Sequence, residues 1–151
     1  MVDIMTLNGG QSVLGAAEIA ALRSGLRGAV LLSGDEEYET ARRVWNGNVD
    51  RRPAMIVRCM SASDVQRAVD FARKRDLLVS VRGGGHSAPG YGTNDGGLVI
   101  DLSSMKAISV DPAGNTARAE GGVLWRDLDS ATQAHDRDNR AMDLLPSSWP
   151  S

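Results

Sequence analysis

The sequence predicts an α+β domain in which a small, mostly parallel β-α-β unit is followed by antiparallel strands, with the helices on the outside. Two observations lead to this fold class. Residues 54–81 follow the order strand, helix, strand, which places both strands parallel in one sheet. Further along the chain, the segments "AISVD" and "TARAE" flank the turn formers "PAGN", as is typical of an antiparallel pair.

The β-α-β unit is predicted from apolar periodicity. The apolar stretches at 54–59 and 77–81 predict two short strands, and the stretch at 97–103 predicts a third. Ser61 and Asp64 form a pair similar to a capping box, which predicts the start of a helix between the first two strands. Apolar residues with helical spacing then continue that helix: Val65, Ala68, Val69 and Ala72.

Other elements are predicted on either side of this unit. The first ten residues predict a loose end, and residues 13–26 predict a helix that stops near Gly28. Residues 35–46 predict a second helix, because acidic residues crowd its start and arginines its end. Residues 124–135 predict a last helix, on which Trp125 is expected to pack in the core.

Composition limits the classes of function. With a formal net charge of −2 and no basic face along the chain, the sequence predicts no nucleic-acid partner. No apolar run reaches the ~18 residues that a membrane helix needs, and the start shows no secretory signal. The single cysteine, Cys59, is expected to be a small buried hydrophobe and favours a cytoplasmic location. With two histidines and no acidic cluster of ligand spacing beside them, no metal site is predicted.

The segment "SVRGGGHSAPGYG" bears the residues best suited to chemistry. We call residues 83–95 the glycine loop. Three successive glycines, Gly83, Gly84 and Gly85, let main-chain amides point into one concavity, which suits an anion such as a diphosphate. The loop follows a strand, and the carboxyl ends of strands are where α/β sheets bind ligands. Arg82 would add positive charge.

Several interpretations of this loop fit the residues. It is not a P-loop, because no Gly-Lys-Ser/Thr follows the glycines, and Pro89 argues against the helix of a dinucleotide fold. His86 suits a base, a metal ligand or a point of covalent attachment, whereas Ser87 lies in no nucleophile elbow. Residue types and spacing therefore leave an anion-binding loop beside one reactive ring, or a plain long turn.

Longer segments resemble a known family. "VRGGGHS", "GGLVIDLSSMKAISVDP" and "TARAEGGVLWRDLDSATQAH" are similar to the flavin-linked oxidases of the berberine bridge enzyme type. These belong to the vanillyl-alcohol oxidase / p-cresol methylhydroxylase class of FAD-binding domains. The resemblance implies an amino-terminal helical segment at 1–30, a partial FAD-binding domain at 31–135 and a divergent tail at 136–151.

The resemblance also implies a cofactor and a reaction. FAD would be the cofactor, and a small-molecule substrate would be oxidised by hydride transfer to the flavin, often with oxygen as the final acceptor. The segment that would wrap the FAD pyrophosphate consists of Arg82, Gly83, Gly84, Gly85, His86 and Ser87. His86 matches the histidine that is commonly bonded to the 8α-methyl carbon of the flavin. The resemblance assigns no catalytic residue to this chain.

One departure from the family limits these implications. Its members are much longer and continue, after the helix that matches 123–135, into a glycine-rich segment that helps to hold the flavin. We therefore expect an amino-terminal fragment, produced by a frameshift or an early stop. Two functions follow: the FAD-binding part of an oxidoreductase, or a catalytically inactive flavin-binding, nucleotide-binding or interaction module.

Overall fold

The structure is a computed structural model that describes residues 1–135 and the strand at 143–146. The chain divides into two compact units, Met1–Ser104 and Met105–Ser151. The first unit contains the β-α-β elements and the glycine loop, and the second contains the antiparallel strands.

The first unit begins with a hairpin. Strands β1 (Val2–Met5) and β2 (Gln11–Leu14) pair antiparallel, so the predicted loose end is wrong. Ile4 and Leu14 are buried in these strands and most of their neighbours are not. Strands with so few inward residues give no visible alternation in the sequence. Whether residues 1–30 form a separate segment stays a prediction.

The main sheet of this unit has four strands. They are β3 (Ala29–Leu32), β4 (Met55–Arg58), β5 (Val79–Arg82) and β6 (Leu98–Asp101), in the order β3-β4-β6-β5. Both β4 and β5 run parallel to β6, and β3 is an antiparallel edge strand. The predicted parallel unit is confirmed, but β6 lies between its two strands, and β3 was not predicted.

Three helices flank this sheet: α1 (Ala16–Gly25), α2 (Tyr38–Ala41) and α3 (Ala62–Arg73). The helix predicted at 35–46 is only a single turn. In a longer helix the Trp45 amide would donate to the Ala41 carbonyl, but it donates instead to the carbonyl of Gly85. The Ala41 carbonyl accepts from the Arg82 guanidinium. Tertiary hydrogen bonds therefore end the helix and leave Trp45 exposed.

The core of this unit is formed by β4 and β6. All their side chains except that of Arg58 are buried, as expected for central strands covered on both faces. The Cys59 thiol just after β4 is fully buried, and burial raises its pKa to about 12. This confirms the expected packing role of Cys59, because a thiol with such a pKa is not a reactive thiolate at neutral pH.

Asp64 joins the start of α3 to the turn before β3. Its carboxylate accepts hydrogen bonds from the amides of Arg27 (3.0 Å), Gly28 (3.2 Å) and Met60 (2.9 Å). The Ser61 hydroxyl accepts from the Asp64 amide at 3.3 Å, so only one half of the predicted capping box forms. Burial would raise the pKa of Asp64, but these amide hydrogen bonds lower it overall.

Gly28 is required by close approach rather than as a helix stop. A Cβ at this position would lie 1.8 Å from the carbonyl oxygen of Arg58. The start of β3 thus passes against the end of β4, and the turn that Asp64 holds brings it there.

The second unit contains β7 (Ile108–Asp111), β8 (Thr116–Ala119), α4 (Trp125–Gln133) and β9 (Asp143–Pro146). β7 and β8 pair antiparallel, which confirms that prediction, and β9 lies parallel to β8 in the predicted tail. Leu128 and Thr132 are the buried side chains of α4. Trp125 is exposed in its first turn, so the expected core position is wrong.

The described residues contain no helix that is both long and apolar enough to cross a bilayer.

We expect Asp64→Ala to lower the free energy of unfolding by about 2–3 kcal/mol, because three amides lose their acceptor in a buried site. The lowered pKa means that Asp64 stabilises the fold above the ordinary aspartate pKa of about 4, and that this contribution disappears on acidification. Urea unfolding at neutral and acid pH measures both effects. Asp70→Ala, at an exposed position of α3, is the control and should change stability little. Equal stability of the two variants at neutral pH would refute this role of Asp64.

Candidate functional site

The glycine loop begins where β5 ends, beside a buried ion pair. Arg82 and Asp101 are register partners at the carboxyl ends of β5 and β6. The Arg82 Nη2 atom lies 2.6 Å from Asp101 Oδ2, and Nε lies 3.2 Å from Oδ1. Burial would raise the pKa of Asp101, but the hydrogen bond and charge of Arg82 hold it below its ordinary value. The loop therefore leaves the sheet from a fixed point.

Arg82 also holds the chain that passes beside the loop. Its Nη1 atom donates to the carbonyls of Ala41 and Arg43, the latter at 3.1 Å. The guanidinium thus has protein partners at Nε, Nη1 and Nη2. Its predicted contact with a diphosphate stays a prediction, and what the structure supports directly is a role in positioning the loop.

The main-chain amides of the glycines are available to a ligand. Within the described part of the chain, no atom accepts a hydrogen bond from the amides of Gly83, Gly84 or Gly85. Gly85 has a φ of +73°, in the left-handed region that only glycine adopts without strain. Three consecutive amide donors thus remain for an acceptor from outside the chain.

Several main-chain carbonyls of the loop, unlike the glycine amides, already have hydrogen-bond partners. A segment that we call the strap (residues 45–52) runs alongside it and supplies donors. The Asn46 side chain donates to Ala88 O at 2.8 Å, and Arg51 Nη1 donates to Gly90 O at 3.1 Å and Thr93 O at 2.9 Å. The strap therefore binds loop carbonyls and leaves the glycine amides unused.

The strap also binds the two ends of the loop through its own main chain. The Trp45 amide donates to the Gly85 carbonyl at 3.1 Å, and the Arg52 amide donates to Asp95 Oδ1 at 2.8 Å. Sequence reasoning missed this segment. It pairs residues about forty positions apart, and the helical pattern at 35–46 concealed its beginning.

His86 and Ser87 differ in their surroundings. The His86 side chain is exposed, and its ring centroid lies 6.5 Å from that of Trp45 with 50° between the planes. The Ser87 hydroxyl accepts a hydrogen bond from the Tyr91 amide at 3.2 Å, so it stabilises the turn that follows. The structure leaves the imidazole open to a ligand, and the predicted contact of Ser87 with a cofactor stays a prediction.

The loop suits a diphosphate group. Its amides supply partial positive charge, and residues 83–94 contain no aspartate or glutamate. No group of three or more possible metal ligands occurs among the described residues. An organic diphosphate bound by main-chain amides, with the His86 ring next to it, fits this donor set.

Comparison with known proteins gives the family. The model described as "FAD binding domain" matches residues 53–144, a range that begins just after the strap and includes the whole glycine loop. This chain belongs to that FAD-binding domain family. The predicted cofactor, FAD, is thereby confirmed for the domain.

The relatives are FAD-linked oxidoreductases and oxidases. The chain is 44% identical over 103 residues to (R)-6-hydroxynicotine oxidase of Paenarthrobacter nicotinovorans, which covers 68% of this chain and 22% of the relative. The crystal structure of 6-hydroxy-D-nicotine oxidase from Arthrobacter nicotinovorans matches with a TM-score of 0.70 and 41% identity, over 73% of this chain and 24% of that one.

A berberine bridge enzyme-like protein of Physcomitrella patens matches with a TM-score of 0.59 and 31% identity, over 66% of this chain and 22% of its own. The predicted family resemblance and the α+β fold of a p-cresol methylhydroxylase-type domain are therefore confirmed. This chain spans about a quarter of the length of the proteins that it matches.

We expect Arg82→Gln to lower the free energy of unfolding by about 3–5 kcal/mol at neutral pH, because the buried Asp101 keeps only the more distant Arg58 as a cation, with Nε 3.5 Å from Oδ2. The pKa of Asp101 then rises, since burial is no longer opposed by Arg82. Protonation of Asp101 removes the buried negative charge from the variant. Its loss of unfolding free energy relative to the wild type should therefore become smaller on acidification to about pH 4.5. Urea unfolding at both pH values measures this, with exposed Arg118→Gln as control. A deficit no larger than that of the control would contradict the prediction.

We expect Arg51→Met to weaken FAD binding about tenfold, because the loop loses hydrogen bonds worth about 1–1.5 kcal/mol that hold it ready for the ligand. The dissociation constant is measured by flavin fluorescence in a His86→Ala background, which removes the ring that the family resemblance implies for covalent attachment. Arg73→Met in the same background removes the same charge from the end of α3 and should bind FAD as the parent does. Equal affinities of the two variants would show that the strap does not organise the loop.

Proposed function

We propose that this chain binds the diphosphate of FAD for a flavin-dependent oxidoreductase. That enzyme oxidises a small molecule by hydride transfer to the flavin, often with dioxygen as the final acceptor. The observation that carries the proposal is the set of unused amides at Gly83, Gly84 and Gly85 in a chain of the FAD-binding family. The names of the relatives, oxidases and FAD-linked oxidoreductases, support the reaction class.

Each residue of the site has a definite part in this proposal. The glycine amides bind the diphosphate oxygens, and Arg82 holds the loop to the sheet through Asp101. Ser87 closes the turn behind His86 by accepting the Tyr91 amide. When bound, FAD supplies the electron-accepting ring, and the protein supplies the position of that ring and its surroundings.

His86 is the proposed point of covalent attachment. Its exposed ring follows directly after the amides that bind the diphosphate, so one short segment would place both the diphosphate and the flavin edge. Attachment joins an imidazole nitrogen to the 8α carbon of the flavin. One hydrogen leaves that carbon and one leaves the imidazole, and dioxygen takes up both as hydrogen peroxide, so the attached flavin is oxidised. The bond would hold the cofactor irreversibly.

The cytoplasmic location expected from the single cysteine is proposed with this function, since a buried thiol is compatible with a reducing compartment.

The purified chain, incubated with FAD and air, should become yellow and keep its colour in the pellet after acid precipitation. His86→Ala should release the flavin into the supernatant while the folded state, followed by circular dichroism, is retained. His135→Ala is the matched control, because it removes the other histidine of the chain, and its pellet should stay yellow.

The other outcomes are also informative. If His86→Ala keeps its flavin in the pellet, the attachment residue is wrong. If the wild-type chain stays colourless and does not quench added FAD fluorescence, the inactive interaction module is the better description of this chain.

A further inference from the structure

We propose that Trp45 is a positioning residue that sets the orientation of the His86 imidazole for attachment to the flavin. The proposal rests on the proposed function, because it assigns a role toward the same cofactor. It concerns a residue in the strap, outside the segment 82–87 that the sequence singles out. Four features of the structure support it.

The first feature is the ring geometry. The Trp45 and His86 centroids are 6.5 Å apart with a tilt of 50°, within the range in which aromatic rings interact favourably. The His86 side chain is exposed and would otherwise sample several rotamers freely. The indole lies beside the His86 ring in the rotamer seen here and therefore favours this rotamer over the others.

The second feature is the way in which Trp45 is held. Its amide donates to the carbonyl of Gly85, the residue immediately before His86. The next residue, Asn46, donates from its side chain to the carbonyl of Ala88 on the other side of the histidine. Backbone and side-chain hydrogen bonds of the strap therefore fix Trp45 and His86 relative to each other.

The third feature is the solvent exposure of the Trp45 side chain. Trp45 is 72% exposed, although tryptophan is the residue that gains most from burial. Packing does not explain its position, since the side chains that α2 contributes to the core are those of Tyr38 and Ala41. A large aromatic ring kept at the surface beside an exposed imidazole suits a place that a bound ring would cover.

The fourth feature is the charge of the surroundings. Residues 83–94 contain no aspartate or glutamate. The side chain of Asp50 in the strap accepts a hydrogen bond from Arg42 and not from the histidine. Orientation of the imidazole is thus left to the aromatic contact among the described residues, where in many sites a carboxylate would provide it.

The proposal predicts slower attachment without a change in the attachment site. Loss of an aromatic pair worth about 0.5–1.5 kcal/mol corresponds to about a two- to twelvefold lower rate. Trp45→Ala should show the full effect, and Trp45→Phe, which keeps an aromatic ring, a smaller one. Trp125→Phe, at an exposed tryptophan in α4, should attach FAD at the wild-type rate.

The test measures two quantities on apo protein. One is the rate at which added FAD becomes acid-precipitable, and the other is the position of the His86 ring proton signals in the NMR spectrum before FAD is added. With two histidines in the chain, His135→Gln assigns the signals. In Trp45→Ala and Trp45→Phe the His86 signals should move, because the ring current of the indole is lost or altered.

The outcomes separate this proposal from the proposed function. Wild-type rates in Trp45→Ala, or His86 signals unchanged in both Trp45 variants, would overturn the role of Trp45. If the wild-type chain attaches no FAD, covalent attachment through His86 fails, and the positioning claim is then decided by the NMR signals alone. If Trp45→Ala does not fold, the same comparison is made with Trp45→Phe.

Discussion

The site depends on the buried contact between Arg82 and Asp101. This ion pair lies at the carboxyl ends of two neighbouring parallel strands, and the same guanidinium binds the carbonyls that end α2. One side chain therefore holds together the start of the glycine loop, the adjacent strand β6 and the end of α2, just before the strap. An uncompensated charge at this place would be costly, which keeps all three segments in fixed positions.

In the loop held by this ion pair, the main-chain carbonyls and the glycine amides differ in their hydrogen bonding. Arginine and asparagine side chains of the strap bind its carbonyls, and the amides of the three glycines are left without acceptors in the described chain. A loop prepared in this way loses little conformational entropy when it binds an anion. In the proposed function, the glycines allow the ligand to approach the main chain, and the hydrogen bonds of the strap hold the shape of the loop.

Much of this arrangement could be predicted from the sequence, and the reasons for the failures are specific. Runs such as 98–101 and the periodic residues of α3 are local signals, and they gave the parallel unit and its helix correctly. The glycine loop was visible because three glycines beside a histidine are unusual. The strap was not, because its partners are distant in the chain and Arg82 interrupts a pattern that is helical in isolation. The amino-terminal hairpin was missed because so few of its residues face inward.

The claim that the glycine amides bind the FAD diphosphate is tested most directly by NMR. Titration of the ¹⁵N-labelled chain with ADP, which carries the diphosphate without the flavin, reports on each amide separately. The account predicts that the amide signals of Gly83, Gly84 and Gly85 shift together with one dissociation constant, and that those of α4 do not. Saturable shifts confined to residues outside the glycine loop would contradict it.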